Sequence, residues 1–193
     1  AEGGRHFVFL STIGVNGIIS GPSPFTPQDV PNPVGNYARS KWLAEQLLAD
    51  EAEKLGVRLT IFRPSMIYGA GVRGSFAKLI RQVETARFLP YANIQNQRDM
   101  IGLHNLVDLL VATLEQETSG TFLVKDRDPV STTSLVQAIA ELTGSTPGLF
   151  SIPPVLRSVM MRLPVVSGIA ARLFGDVRID DSDFARMNSW QPR

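Results

Sequence analysis

One stretch limits this chain's fold more than any other. A β-rich run is followed by a long irregular segment, an amphipathic helix, a single glycine and a second β-rich run. The first run, His6-Phe-Val-Phe-Leu10, has little alternation and reads as a strand buried on both faces. Residues 17–36 hold five prolines, with Gly17, Gly21, Asn32 and Gly35 at turn positions, and predict a long loop. Trp42, Leu43, Leu47 and Leu48 then recur at helical spacing from Tyr37 to Lys54, and Gly56 ends that helix. Val57–Phe62 predicts a second strand, closed by Pro64. Strand, helix and strand in this order make a βαβ unit, with a parallel sheet and a right-handed crossover.

The remainder continues in α/β style. A Gly-rich turn (Gly69, Gly71, Gly74) precedes a helix over Phe76–Arg87. Asn105 reads as an N-cap, with Asp108 three residues on, for a helix through Leu114. Thr121–Val124 is a short strand. Ser131 caps a further helix that presents Leu135, Val136, Ile139 and Leu142 and stops at Gly144. The apolar stretch Ile152–Phe174 is broken by Arg157, Arg162 and Arg172 and by Pro153, Pro154 and Pro164, which excludes a membrane-spanning helix. It reads as a partly buried helical pair lining a cleft, with an amphipathic surface helix as the alternative.

Composition removes several function classes. A formal charge of +1 gives no electrostatic footprint for nucleic acid. The absence of cysteine excludes disulfide scaffolds, thiolate zinc sites and cysteine nucleophiles. Two histidines are too few for most histidine-based metal sites, so no metal is expected.

In a parallel sheet, ligands bind at the carboxyl ends of the strands. Thr12 stands just past the first strand, and Arg63-Pro64-Ser65-Met-Ile-Tyr-Gly69 ends the second. Tyr37 and Lys41, four residues apart, project from one face of the intervening helix. An ammonium beside a phenol favours the phenolate, which makes tyrosine a usable proton acceptor and donor. Taken alone the pair is no more than a solvated contact at a helix start. Its convergence with the two strand ends gives it meaning.

These residues, in this order, resemble the extended short-chain dehydrogenase/reductases, the nucleotide-sugar epimerase and reductase group. Phe7–Gly17 resembles the strand and catalytic Ser/Thr segment, and Pro33–Gln46 the helix bearing Tyr-x-x-x-Lys. Arg63–Gly71 resembles the following Arg-Pro-x-x-x-Tyr-Gly-x-Gly turn. Arg98-Asp-Met-Ile-Gly-Leu-His-Asn-Leu106 resembles that group's Arg-Asp-Phe-Ile-His-Val-x-Asp-Leu segment, and Asn188–Pro192 its closing Leu-Gly-Trp-x-Pro.

The resemblance implies the C-terminal part of a Rossmann-type doubly wound parallel sheet plus a smaller, mostly helical substrate-binding domain. Residues 1–68, with 98–125 contributing, would form the first, and 69–97 and 126–193 the second. It implies NAD or NADP as cofactor, a UDP-sugar substrate, a homodimer and a cytoplasmic location. Tyr37 would be the general acid/base, Lys41 would bind the nicotinamide ribose, and Thr12 would hydrogen-bond the reacting oxygen with Ser11 as a second hydroxyl beside it. Pro64 and Ser65 would lie near the nicotinamide carboxamide; Arg98 and Ser75 would bind substrate, Arg98 through its diphosphate.

Plainer roles fall to other residues. Ser11 also reads as a plain strand-end hydroxyl, Arg63 and Asp99 as structural, His104 as a local hydrogen-bonding residue, Arg157 and Arg162 as a solvated helix face, and Arg172 as no nucleotide ligand. The 4,6-dehydratases of this group have an acidic pair after the catalytic Thr, where this chain has Ile13 and Gly14, so dehydration is not expected. That leaves a 4-epimerase, with an NAD(P)H-dependent 4-keto-sugar reductase as the alternative. The group's Gly-rich cofactor turn lies upstream of the matched segments, so an inactive fragment or a nucleotide-sugar-binding module is the alternative of another class.

Overall fold

Gly56 (φ 63°) ends α1 (Asn36–Leu55) in the left-handed conformation, and its N–H bonds the Glu53 carbonyl while the Val57 N–H bonds that of Ala52. This double bond is a Schellman ending, open without strain to a residue lacking Cβ. It turns the chain directly from α1 into β2 (Arg58–Pro64), which lies parallel to β1 (His6–Leu10) with Phe9 opposite Ile61. The computed structural model describes residues 5–116, 118–126, 128–182, 184 and 192.

After β2 come β3 (Met66–Tyr68), α2 (Ser75–Thr85), β4 (Phe88–Leu89), β5 (Met100–Gly102) and α3 (Leu103–Gln116). They are followed by β6 (Gly120–Val124), α4 (Thr132–Thr143), β7 (Gly148–Leu149), α5 (Pro154–Arg162) and α6 (Pro164–Phe174). The main sheet has the order β1-β2-β6, all parallel, with Phe62 opposite Phe122.

Side chains alternate across that sheet. Val8, Leu10, Phe62, Phe122 and Val124 face Leu106 and Leu109 of α3. The opposite face carries Phe9 and Arg63, which meet Lys41 and Trp42 of α1. A second core joins α2 and α4 through Phe76, Val83, Val136 and Ile139, and Leu89, Tyr91 and Met100 complete it. Two shorter parallel pairs, β3 with β5 and β4 with β7, connect the loops between the cores.

The α/β reading and the strand–helix–strand unit stand. Three local expectations do not. β1 is not buried on both faces: Phe7 is 47% exposed, because β2 is its only sheet partner among the described residues. Asn105 is not an N-cap, since α3 already starts at Leu103, and its amide instead donates to Asp126 at 2.8 Å. Arg157 does not sit on a solvated face; it turns inward to the Ile152 carbonyl at 2.7 Å and lies 5.1 Å from the Phe174 ring centroid. By contrast α4 is capped as expected, Ser131 Oγ accepting from the Ser134 N–H at 3.0 Å and Gly144 closing it at φ 67°.

Candidate functional site

The carboxyl end of β1 runs into a single 3₁₀ turn, Ile13–Val15, capped by Thr12, whose hydroxyl accepts from the Gly14 N–H at 3.2 Å. A β-carbon at Gly14 would stand 3.5 Å from the Ala38 Cβ, so this turn lies against the first turn of α1. Tyr37 precedes Ala38 and is 65% exposed. Lys41 donates to the Leu10 carbonyl at 2.9 Å and sits 4.7 Å from the Phe9 ring centroid. Thr12, Tyr37 and Lys41 thus come from a strand end and the helix start packed on it.

Beneath them is a buried ionic group that sequence reasoning missed. Glu45, 2% exposed, takes Arg63 Nη2 at 2.6 Å and Arg63 Nε at 3.0 and 3.1 Å, a two-pronged ion pair. Ser11 donates its hydroxyl proton to the same carboxylate. Arg63 Nη1 donates to Asn16 at 3.0 Å, and Asn16 in turn holds the Thr26 carbonyl at 2.8 Å. Ser11 and Asn16 therefore bracket the Thr12 turn from both sides. The signal was available: Ala38, Lys41 and Glu45 recur at helical spacing, which puts the carboxylate on the face of α1 turned to the sheet.

Ser65 follows the end of β2. Its N–H donates to the Val124 carbonyl at 3.1 Å, while its hydroxyl, 3% exposed, has no hydrogen-bond partner among the described residues. A buried orphan hydroxyl is costly and marks a place where a ligand can complete the bonding. Nearby, Asp126 accepts from the Tyr68 hydroxyl at 2.7 Å, the Gly102 N–H at 3.0 Å and Asn105. The hydrogen bond to that carboxylate, then burial and the charge of Asp126, push the Tyr68 phenol up to about 12.

Arg98 and Ser75 lie on other elements, and neither shares a hydrogen bond or ion pair with the Ser11–Glu45 group among the described residues. Ser75 is exposed at the first position of α2. Arg98 is held by the carbonyls of Arg172 at 2.9 Å and Gly175 at 3.3 Å; burial, and then the neighbouring Arg172, draw its pKa below the ordinary value. The Asp176 carboxylate acts on Arg98 in the opposite direction to Arg172. Asp99 is structural, as expected: 2% exposed, it accepts from the Ile179 N–H at 2.7 Å and pairs with Lys125 at 3.2 Å. Residues 188–191, most of the closing motif, lie outside the described residues.

Residues 1–124 match the NAD dependent epimerase/dehydratase family. The chain is 33% identical over 196 residues to a UDP-glucose 4-epimerase of Vibrio cholerae, covering 99% of this chain and 60% of that protein. Among solved structures it superposes on the UDP-glucose 4-epimerase of Thermus thermophilus in complex with NAD (TM-score 0.72, 21% identity, 98% of this chain and 59% of that one). It also superposes on RMD from Pseudomonas aeruginosa complexed with NADPH (TM-score 0.73, 18% identity, 97% and 61%). The chain therefore spans about three-fifths of the length of these relatives. With the family match running through β1, the Thr12 turn, α1 and β2 to the end of β6, the chain belongs to the NAD dependent epimerase/dehydratase family.

Proposed function

We propose that the protein acts as a nucleotide-sugar 4-epimerase on a UDP-hexose, with Tyr37 as general acid/base. The observation that supports this reading is the packing of the Thr12 turn against the first turn of α1, the helix that carries Tyr37 and Lys41. Tyr37 takes the proton of the sugar C4 hydroxyl and returns it after the sugar has turned over. Thr12 hydrogen-bonds the same oxygen and orients it. Lys41, one turn further along α1, would stand beside it. Ile13 and Gly14 can transfer no proton, which disfavours a dehydration step beside Thr12.

The residues present fit the nicotinamide end of NAD: the orphan Ser65 hydroxyl and Pro64 would meet its carboxamide and Lys41 would meet its ribose, while Ser11, buried and bonded to Glu45, would not reach it. When bound, NAD supplies reversible hydride acceptance at C4. Arg98, beside Arg172, would hold the substrate diphosphate, and Ser75 would reach it from α2. The exposed Leu43 and Leu47 on α1 favour a homodimer through that helix.

The test is product analysis by NMR of the protein incubated with UDP-glucose, UDP-galactose or their N-acetyl forms and catalytic NAD. Interconversion of C4 epimers without net cofactor consumption is expected. Stoichiometric consumption of NADPH on a 4-keto sugar identifies a reductase instead, and binding of UDP-sugar without any turnover identifies a binding module.

A further inference from the structure

A buried ion pair is a poor way to stabilise a fold, because the desolvation of both charges offsets most of their attraction. The pair beneath the Thr12 turn has a geometry that points to another role. Glu45, Arg63, Ser11 and Asn16 are all buried and bond one another from α1, β2 and the two flanks of the 3₁₀ turn. Arg63 directs Nε and Nη2 at Glu45 and Nη1 at Asn16. A guanidinium is planar, so these two partners stand at a fixed angle to each other. Glu45 also accepts from Ser11, the residue before Thr12, while Asn16 follows the turn. One ion pair thus holds both ends of residues 11–16.

Within that segment the Thr12 hydroxyl accepts from the Gly14 N–H, which leaves its own proton for another partner. Where that proton can be delivered depends on how the turn sits against α1. The turn's internal bonds, Val15 N–H to the Thr12 carbonyl and Asn16 N–H to that of Ile13, set its shape but not its place. A turn of three residues also has poor hydrogen-bond geometry of its own. Its place is set from α1. Ala38, which packs on Gly14, lies about two turns before Glu45 on the same helix face. The face that carries the Thr12 turn therefore also carries the carboxylate that holds its flanks.

We propose that Glu45 and Arg63 are positioning residues for Thr12, fixing its hydroxyl against the Tyr37 helix through Ser11 and Asn16. This deepens the reaction proposed above and rests on it. The experiment compares the wild type with Glu45→Met/Arg63→Met, which replaces the pair by unbranched apolar side chains, and with Ser11→Ala, which keeps the pair and cuts one of its two holds. Three quantities are read: stability in urea, kcat and KM for a UDP-hexose, and hydrogen exchange of the Gly14 and Val15 amides by NMR. The double variant recovers stability, because apolar packing replaces such pairs without loss, yet its kcat falls about 10²-fold with KM within about twofold. Ser11→Ala loses about tenfold in kcat, and the turn amides of both variants exchange about tenfold faster. A kcat that recovers together with stability overturns the proposal, since the pair is then only structural, and so does unchanged exchange at Gly14 and Val15. If the double variant unfolds, Ser11→Ala decides by the same readings. A wild type without turnover overturns the proposed reaction instead, and the exchange rates alone then decide whether the pair holds the turn.

Discussion

Glu45 has its carboxylate wholly committed, to Arg63 through three contacts and to the Ser11 hydroxyl. A buried pair of this kind adds little net stability over apolar packing, but removing one partner leaves a charge that neither water nor protein compensates. Glu45→Ala is therefore expected to lower stability by about 3–5 kcal/mol in urea unfolding. Glu45→Met combined with Arg63→Met should recover most of that loss; equal losses in both variants would mean the damage is steric. Tyr68 makes a second prediction at this scale. Its neutral phenol donates to Asp126, so the folded protein holds that proton up to about 12, whereas an unfolded tyrosine releases it near 10. The stability this adds is complete below about 10 and disappears as pH rises through about 12. Tyr68→Phe should delete the highest-pH step of the tyrosinate absorbance titration, and its persistence would assign that step to another tyrosine.

At the scale of elements, α1 and α4 were legible because each carries its own stop. Gly56 and Gly144 both adopt left-handed φ, and in both helices the residue after the glycine bonds back to the fourth-last helical carbonyl. Ser131→Ala should cost about 1 kcal/mol in chemical denaturation through loss of the α4 cap, while the same change at exposed Ser134 should cost less than half of that. β3, β4, β5 and β7 were not legible, since two or three residues are too few to show a period of two. The start of α3 was misplaced for a related reason. Asn105 has the chemistry of a cap, but Asp126 arrives from 21 residues along the chain and takes its amide. Arg157 was misread because a surface arginine and one buried against carbonyls look alike in sequence. In the candidate site, Thr12, Tyr37, Lys41 and Ser65 could be named from spacing and resemblance. Helical spacing places Glu45 on the sheet-facing side of α1, but its pairing with Arg63, 18 residues away, is made by the fold and carries no local signal.

At the scale of the whole molecule, the described chain has two larger cores and a small third one of Phe25, Leu123 and Ile179, with Thr12, Tyr37 and Lys41 beside the main sheet and Arg98 bridged by its backbone to Val130 and Val177. α1 exposes Leu43 and Leu47 (56% and 57%) one turn apart on the side away from the sheet. If α1 is the dimer helix, Leu43→Asp/Leu47→Asp should shift sedimentation velocity from dimer to monomer while leaving the fold intact, and an unchanged coefficient would place the contact elsewhere. We propose Tyr37 as the group that moves the proton at the sugar C4 oxygen. The most direct measurement is the initial rate of C4 epimerisation of a UDP-hexose by the wild type and by Tyr37→Phe, with UDP-sugar affinity measured alongside. A rate loss of at least about 10²-fold with affinity unchanged is expected, the range ascribed to one general acid/base. Turnover by the Phe variant within a few-fold of wild type would contradict it.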